Sequence, residues 1–204
     1  MKIYLLRHGM TECNARKQYQ GLLDTPLSPE GRAQLRKADI QTEIVYTSPL
    51  RRARETAGIL FPESRQVAVE DLQEMSFGVF EGRSFLDMAE DAQYRAWVDS
   101  NCEDRCPGGE KKSEFCDRSC AAFEALLERA LHTRQEILVI VAHGGTQMAV
   151  MERYGVPHQD YYQWCAPLGG GYLLETDETA WHGARTLTLL ERIQYTQQEG
   201  GAEK

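Results

Sequence analysis

Three short hydrophobic runs in this chain each lead into a cationic or imidazole side chain. The first run is followed by Arg7 and His8, the second by Arg52, and the third by His143. Guanidinium and imidazole groups are costly to bring together away from water unless an anion satisfies them. Guanidinium forks match the geometry of phosphate, and a neutral imidazole is a nucleophile near neutral pH. If these side chains meet, they can bind a phosphoryl group and attack its phosphorus.

The runs themselves indicate how the side chains would meet. Residues 2–6, 43–46 and 136–141 are short apolar runs that contain β-branched residues, and helical patterns follow them, which is typical of parallel strands. Open α/β sheets bind ligands beyond the carboxyl ends of their strands. We therefore expect an α/β protein, a three-layer α-β-α fold with a mostly parallel central sheet, in which three neighbouring strand ends share one crevice.

Other signals place the remaining elements around this sheet. Ser28-Pro29 and Ser48-Pro49 each combine an N-cap residue with a following proline, which predicts helices to about Ala38 and from about Leu50 to Leu60. Residues 82–134 have a mostly helical pattern with two apolar stripes. The stripes consist of Tyr94, Trp97 and Val98, and of Phe115, Ala122, Phe123, Leu126 and Leu127. We expect this stretch to be a helical insertion over the active-site side of the sheet.

The rest of the chain adds further elements. A helix is predicted after Gly145, to about Tyr154, and strands are predicted at 66–69, 171–175 and 187–192. The residues from about 197 to 204 are polar and are expected to fray. Residues 1–204 are thus predicted to form a single domain.

Composition excludes several classes of function. The chain has 204 residues and a formal net charge of −8, which argues against nucleic acid as the main partner. A small phosphorylated substrate is compatible with this charge, because a cleft can focus a local positive field. There is no apolar stretch of membrane-spanning length and no export signal, so we expect no membrane partner and a cytoplasmic location. A homodimer is left open.

The segment from Arg7 to Gly31 reads RHGMTECNARKQYQGLLDTPLSPEG. It resembles the first motif of the histidine phosphatase superfamily, also called the phosphoglycerate mutase-like family. Further matches follow in the family's order, as SPLRRARETA from Ser48, LQEMSFGVFEG from Leu72, PGGE from Pro107 and VAHGG from Val141. The resemblance covers most of the chain. It implies phosphoryl transfer through a phosphohistidine, with no cofactor and no metal. The side chains of Arg7, His8, Arg52 and His143, which we call the Arg/His cluster, would take the place of a metal ion.

The resemblance also assigns roles to individual residues. It makes His8 the nucleophile and Glu74 the general acid and base. The phosphoryl oxygens would be held by Arg7, Arg52 and His143, with Asn14 as a neutral donor. Gln20, Gly21 and Gly144 are predicted to bind substrate, although Gln20 and Gly21 could instead form only a turn. The family spacing selects Arg52 over its neighbour Arg51, which is expected to be a solvated charge like Arg54, and Glu81 is expected to be structural.

The form of the acid motif discriminates between branches of the family. Gln73-Glu74-Met75-Ser76-Phe77-Gly78 resembles the phosphatase branch, in particular α-ribazole phosphatases and the broad-specificity bacterial phosphatases near them. We therefore predict a phosphomonoesterase of small phosphorylated metabolites, with α-ribazole phosphate as one candidate substrate. The alternatives are a phosphoglycerate mutase-type phosphotransferase and a non-catalytic module that binds phosphorylated ligands. The presence of both His8 and Glu74 argues against the binding module.

Four of the six cysteines leave a second interpretation open. Cys102 and Cys106, and likewise Cys116 and Cys120, are four residues apart. Structural zinc sites favour closer Cys-x-x-Cys pairs, so reduced thiols are preferred over a zinc site or a disulfide. The histidines outside the motifs, His132, His158 and His182, are expected to be ordinary surface or core residues.

Overall fold

The computed structural model describes residues 1–197, in which seven β-strands form one sheet. The strands are β1 (Lys2–Arg7), β2 (Ile44–Thr47), β3 (Arg65–Ala68), β4 (Ile137–Ala142), β5 (Gly155–Val156), β6 (Gly170–Glu175) and β7 (Leu187–Gln194). Their order is β3-β2-β4-β1-β6-β7-β5. All the neighbouring pairs are parallel except the two that β6 makes with β1 and β7. The predicted mostly parallel α/β fold is confirmed.

Helices cover both faces of this sheet. They are α1 (Glu12–Ala15), α2 (Pro29–Gln34), α3 (Arg51–Leu60), α4 (Ala92–Asp99), α5 (Lys112–His132), α6 (Gly144–Tyr154) and α7 (Glu178–Ala184). Short 3-10 turns lie at Glu70–Leu72, Gly78–Phe80 and Tyr161–Trp164.

Alternate residues of the central strands belong to different cores, which defines the three layers. Ile3 and Leu5 of β1 join the cluster that contains the buried faces of α5 and α6. Tyr4 and Leu6 join the cluster that contains Ala53 of α3. Because both faces are covered, β1 is apolar along almost its whole length rather than alternating with polar residues.

Two helix predictions differ from the structure in their details. The first helix, predicted to reach Ala38, ends at Gln34 because Leu35 turns into an extended conformation and forms a bridge with Thr196. The second has the predicted length, but its N-cap is Leu50 and not Ser48. The Ser48 hydroxyl instead accepts a hydrogen bond from the Leu50 N–H at 3.2 Å and contacts His143.

The predicted helical insertion consists of α4 and α5 with long loops around α4. Trp97 of α4 is buried as expected, whereas Val98 was wrongly placed on the same stripe and is 43% exposed. The five apolar residues predicted for the α5 stripe are all buried. Residues 198–204, most of the predicted frayed tail, lie outside the described residues. Within residues 1–197, no helix has the length and apolar character needed to cross a membrane.

Candidate active site

The carboxyl ends of β2, β4 and β1 lie side by side and bring the predicted histidines together. The His8 N–H donates to the carbonyl of Ala142 at 3.0 Å, and the Ser48 N–H donates to the carbonyl of Val141 at 3.1 Å. The imidazole rings of His8 and His143 are edge to face, with 5.3 Å between their centroids. The sequence prediction that these strand ends bring the two histidines together therefore agrees with the geometry.

The imidazole of His8 is held in one tautomer. Its Nδ1 lies 2.7 Å from the carbonyl oxygen of Gly9, and since a carbonyl can only accept, Nδ1 carries the proton. Burial, together with the positive charges of Arg52 and Arg7, holds the pKa of His8 well below its usual value. The ring is therefore neutral at pH 7, and the lone pair of a nucleophile is on Nε2.

The loop after β1 is fixed to α3 by a threonine. The Gly9 N–H donates to the hydroxyl oxygen of Thr56 at 2.9 Å, and that hydroxyl donates to the carbonyl of Arg52 at 2.7 Å. Thr56 thus links the segment that orients His8 to the helix turn that carries Arg52. Preorganisation of this kind reduces the rearrangement needed at the moment of reaction.

Three nitrogens of this cluster are buried and have no hydrogen-bond partner among residues 1–197. They are Arg7 Nε, Arg52 Nε and His143 Nδ1. Leaving a buried donor unpaired costs roughly 1–3 kcal/mol, more if it is charged. Two unpaired arginine N–H groups and an unpaired nitrogen of His143, whose ring packs on the neutral His8 ring, are groups that a polyvalent anion would satisfy.

The other ends of these side chains are anchored to protein groups. Arg7 Nη1 donates to the carbonyl of Ala166 at 2.7 Å, and Arg52 donates from Nη1 to Leu23 at 2.7 Å and from Nη2 to Gly21 at 2.8 Å. Arg52 is completely buried. A guanidinium has five N–H donors, so each arginine keeps N–H groups for an anion while its position is fixed by backbone carbonyls.

Within the described part of the chain, His143 has a polar partner on one nitrogen only. Its Nε2 lies 2.7 Å from the hydroxyl oxygen of Ser48. Burial and the positive charges of Arg52 and Arg7 hold the pKa of His143 well below its usual value. If the Ser48 hydroxyl donates to Nε2, the neutral ring carries its proton on Nδ1, the nitrogen without a partner.

Glu74 lies beside the beginning of α6. Its Oε1 accepts from the Met75 N–H at 3.0 Å, and its Oε2 accepts from the Gly145 N–H at 3.3 Å. Burial lowers the pKa of Arg52, and among the nearby charges that of Glu74 does most to raise this pKa again. The carboxylate is therefore within electrostatic reach of the Arg/His cluster.

The two glycines after His143 allow the start of α6 to lie close to the side chains of Arg7 and Glu74. A Cβ on Gly144 would lie 3.2 Å from Arg7 Cζ, and a Cβ on Gly145 would lie 2.3 Å from Glu74 Oε1. Any side chain at Gly145 would displace the carboxylate. Gly144 is also the first residue of α6, where free N–H groups and the helix dipole favour an anion.

The remaining predicted substrate-binding residues contact the protein itself. Asn14 Oδ1 accepts from both the N–H and the hydroxyl of Thr11, at 3.1 and 2.9 Å. Gln20 Oε1 accepts from the hydroxyl of Thr25 at 2.8 Å and lies 2.9 Å from the hydroxyl oxygen of Thr11. Gly21 has a positive φ of 51° and supplies a carbonyl to Arg52. These bonds support the turn interpretation for Gln20 and Gly21; contact with substrate stays a prediction for all three.

Arg118 and Glu110 near the site were missed by the sequence analysis. Arg118 Nε and Nη2 donate to the two oxygens of Glu110 at 2.7 and 2.8 Å, and Arg118 also donates to backbone carbonyls of residues 71, 73 and 74. Glu110 belongs to the PGGE motif, which matches the family pattern but does not indicate what the glutamate does. Arg118 is one of several charged residues on α5, and no motif distinguishes it.

The residues expected to be uninvolved lie apart from the cluster. Arg51 pairs with Glu55 on the surface, Arg54 is exposed, and Glu81 accepts from the backbone N–H groups of Leu22 and Phe77 at 3.0 Å each. The three histidines outside the motifs, His132, His158 and His182, are exposed. All six cysteines are free thiols, and residues 1–197 contain no group of three or more His, Cys, Asp or Glu side chains arranged to hold a metal ion.

The structure is an α/β protein with a cluster of arginines and histidines at the carboxyl edge of its sheet. The family model of the histidine phosphatase superfamily (branch 1) matches residues 3–186. The chain belongs to this superfamily, as the sequence motifs predicted.

Similar proteins carry phosphatase or mutase names. The chain is 33% identical over 159 residues to "Putative phosphoserine phosphatase 2" of Hydrogenobacter thermophilus, covering 74% of this chain and 76% of that protein. It is 31% identical over 153 residues to "Probable phosphoglycerate mutase GpmB" of Klebsiella pneumoniae, covering 71% and 70%. The structure of the α-ribazole phosphatase from Shigella flexneri superposes with a TM-score of 0.77 at 24% identity, over 96% of both chains, which shows a shared fold. The family and these names indicate a phosphatase or mutase enzyme.

Proposed function

We propose that this protein is a phosphomonoesterase that hydrolyses a small phosphorylated metabolite through a phosphohistidine on His8. The observation that carries the proposal is the neutral His8 ring, fixed through Nδ1, among three buried nitrogens without partners. In this proposal the phosphoryl group pairs with N–H groups of Arg7, Arg52 and His143 for which the described residues supply no partner. Its negative charge would otherwise repel an incoming nucleophile, so the same donors that bind it favour attack.

The first step transfers the phosphoryl group to the enzyme. His8 Nε2 forms a bond to phosphorus as the bond from phosphorus to the leaving oxygen breaks. Glu74, entering as the carboxylic acid, gives its proton to that oxygen, and the alcohol departs. The Nδ1 proton stays on His8, where the Gly9 carbonyl stabilises the positive charge that develops on the ring.

The second step releases phosphate with water. The Glu74 carboxylate takes a proton from a water molecule whose oxygen attacks phosphorus, and the bond from phosphorus to Nε2 breaks. Inorganic phosphate leaves, and both His8 and Glu74 return to their initial protonation states. The N–H groups of Met75 and Gly145 hold the carboxylate in place for both proton transfers.

Two finer questions concern the substrate and the competing activity. α-Ribazole phosphate is a candidate substrate because the segment from Leu72 to Gly82 resembles the acid motif of α-ribazole phosphatases. The competing activity is a phosphoglycerate mutase-type transfer, which is favoured by the 31% identity to a protein named as a mutase. A mutase would return the phosphoryl group to a second hydroxyl of the substrate instead of to water.

One pair of measurements tests the proposal. The purified protein is assayed for phosphate release from p-nitrophenyl phosphate, and for conversion of 3-phosphoglycerate to its 2-phospho isomer. Radiolabelled phosphate from the first substrate should be trapped on the protein by rapid quenching, and the His8→Ala variant should lose both the label and at least about 10³-fold of the turnover.

His158→Ala, a substitution of an exposed histidine, is the matched control and should behave like the wild type. Isomerisation without net phosphate release would replace the phosphatase assignment by a mutase. Phosphate release that persists in His8→Ala would refute the phosphohistidine route.

A further inference from the structure

A cavity of about 190 Å³ is bordered by Glu74 and Gly145, and no residue of the Arg/His cluster lines it. Five aromatic side chains and two methionines account for most of its wall. We call it the ring pocket, and its lining residues are Tyr19, Glu74, Met75, Phe77, Trp97, Cys102, Lys112, Gly145, Met148, Tyr161 and Tyr162.

The position of Glu74 determines what this pocket can receive. A general acid must reach the oxygen that joins phosphorus to the organic part of the ester. With the phosphoryl group on the Arg/His cluster, the organic part extends past Glu74, and Glu74 and Gly145 are themselves part of the pocket wall. The ring pocket is therefore where the leaving group of the substrate lies.

The aromatic residues of one wall present their apolar surfaces to the pocket. Tyr19, Phe77 and Trp97 pack edge to face, with ring centroids 5.0 to 6.1 Å apart. The Tyr19 hydroxyl is hydrogen-bonded to Tyr94 at 3.0 Å, and the Trp97 N–H donates to the carbonyl of Asp104 at 3.1 Å. Because these polar atoms are already paired, the wall offers mainly ring surface for stacking.

The positive charge that borders the ring pocket is already paired with a carboxylate. Among the described residues that line it, Lys112 is the one cation, and its ammonium group pairs with Glu103 at 2.6 Å. The ammonium group also lies 4.3 and 5.0 Å from the ring centroids of Tyr161 and Tyr162, so it faces aromatic surface. With Glu74 in its protonated form, a leaving group that carries a carboxylate would find the negative charge of Glu103 and no unpaired cation among these lining residues.

We propose that the ring pocket selects phosphate esters whose alcohol carries a flat apolar ring. An apolar cavity of about 150 Å³ is enough to hold benzene, so this one accepts a single ring or a slightly larger fused system. The inference rests on the proposed function, because it assumes that the phosphoryl group occupies the Arg/His cluster. It names a substrate class and ranks ring-bearing esters above phosphoglycerate.

Binding and turnover test the two claims separately. Calorimetry compares benzylphosphonate with ethylphosphonate, which are not hydrolysed, and initial rates compare benzyl phosphate with ethyl phosphate, whose leaving alcohols are similarly weak acids. The benzyl compound should bind at least about tenfold more tightly and show a correspondingly higher kcat/KM. Met148→Gln should reduce this preference at least about threefold by placing an amide in the apolar wall.

Two further variants keep the result interpretable. Phe77→Leu removes ring surface from a different element and should also reduce the preference, which covers the case that Met148→Gln does not fold. Leu86→Gln changes an exposed leucine outside the pocket and should leave the preference intact.

Equal binding of the two phosphonates, or a preference that both pocket variants preserve, overturns the ring pocket while the phosphatase assignment stands. A benzyl preference in binding without any phosphate release supports the pocket and overturns the proposed hydrolysis.

Discussion

Arg118 of α5 holds the backbone of Glu74 in place, since its Nη2 donates to the carbonyl oxygen of Glu74 at 3.0 Å. Nη1 of the same guanidinium donates to the carbonyls of Asp71 and Gln73, at 2.9 Å each. Glu110 completes the arrangement by accepting from Arg118 and from the Ser76 N–H at 2.8 Å. One partly buried ion pair thus fixes the loop on both sides of Glu74.

We predict that Arg118→Gln slows the hydrolysis of alkyl phosphates by about tenfold or more, with a smaller effect on p-nitrophenyl phosphate. A displaced acid matters most when the leaving oxygen needs a proton. Steady-state kinetics on both substrates measure this difference. Arg153→Gln is the matched control, because Arg153 pairs with Asp117 at the surface. Equal slowing of both substrates would mean that Arg118 supports the fold in general and does not position Glu74.

Glu74→Gln should lower kcat for alkyl phosphates by about 10²-fold or more while binding of vanadate changes little. Glutamine keeps the size of the side chain but can neither donate an acidic proton nor accept one from water. Rate measurements over a series of leaving groups should therefore show a steeper dependence on the acidity of the leaving alcohol. The exposed Glu63, which pairs with Lys37, provides the control Glu63→Gln. A loss of rate that is the same for all leaving groups would argue against Glu74 as the acid.

The sequence was sufficient to predict the part of the site that lies on strand ends. Short apolar runs that contain β-branched residues predicted β1, β2 and β4, and parallel strands necessarily bring their carboxyl ends to one edge. His8 and His143 followed from that rule together with the family motifs. Their convergence, with 5.3 Å between the ring centroids, needed no knowledge of loop conformation.

Contacts between distant loops and helices were not predictable in this way. Arg118 and Glu74 are 44 residues apart, and the pattern of α5 does not distinguish Arg118 from its other charged residues. Ser48 was expected to cap a helix because Ser-Pro is a common start signal, but its hydroxyl is bonded to His143. Helix α2 ends before Ala38 because Leu35 forms a β-bridge with Thr196. These residues are 161 positions apart in the sequence, and helix propensity, which depends on local sequence, cannot predict such a contact.

The two buried imidazoles should make the protein less stable in mild acid. Burial and the nearby arginines lower the pKa of His8 and His143 in the folded state, so the unfolded chain binds more protons below its histidine pKa of about 6.5. The free energy of unfolding should therefore decrease as the pH falls from 7 towards 5. The decrease is at most about 1.4 kcal/mol per pH unit for each imidazole.

Denaturant unfolding at several pH values measures this slope. His143→Gln should remove the contribution of one imidazole and make the dependence shallower, whereas His132→Gln, at an exposed position, should leave it as in the wild type. An unchanged slope in His143→Gln would show that this ring does not stay neutral through folding.

Gly145 is the position where the smallest possible side chain should disable the site. A Cβ there would lie 2.3 Å from Glu74 Oε1 and 2.8 Å from Phe115 Cζ, closer than atoms approach without movement. Gly145→Ala should displace Glu74 and reduce kcat for alkyl phosphates by about tenfold or more, since a misplacement of about 1 Å can cost 10²-fold. Gly183→Ala is a matched control, because a Cβ at Gly183 in α7 meets nothing within 4 Å. The control should keep full activity and stabilise the helix by about 0.5–1 kcal/mol. Thermal unfolding and initial rates on both variants test this directly; full activity in Gly145→Ala would show that the carboxylate is not needed where the structure has it.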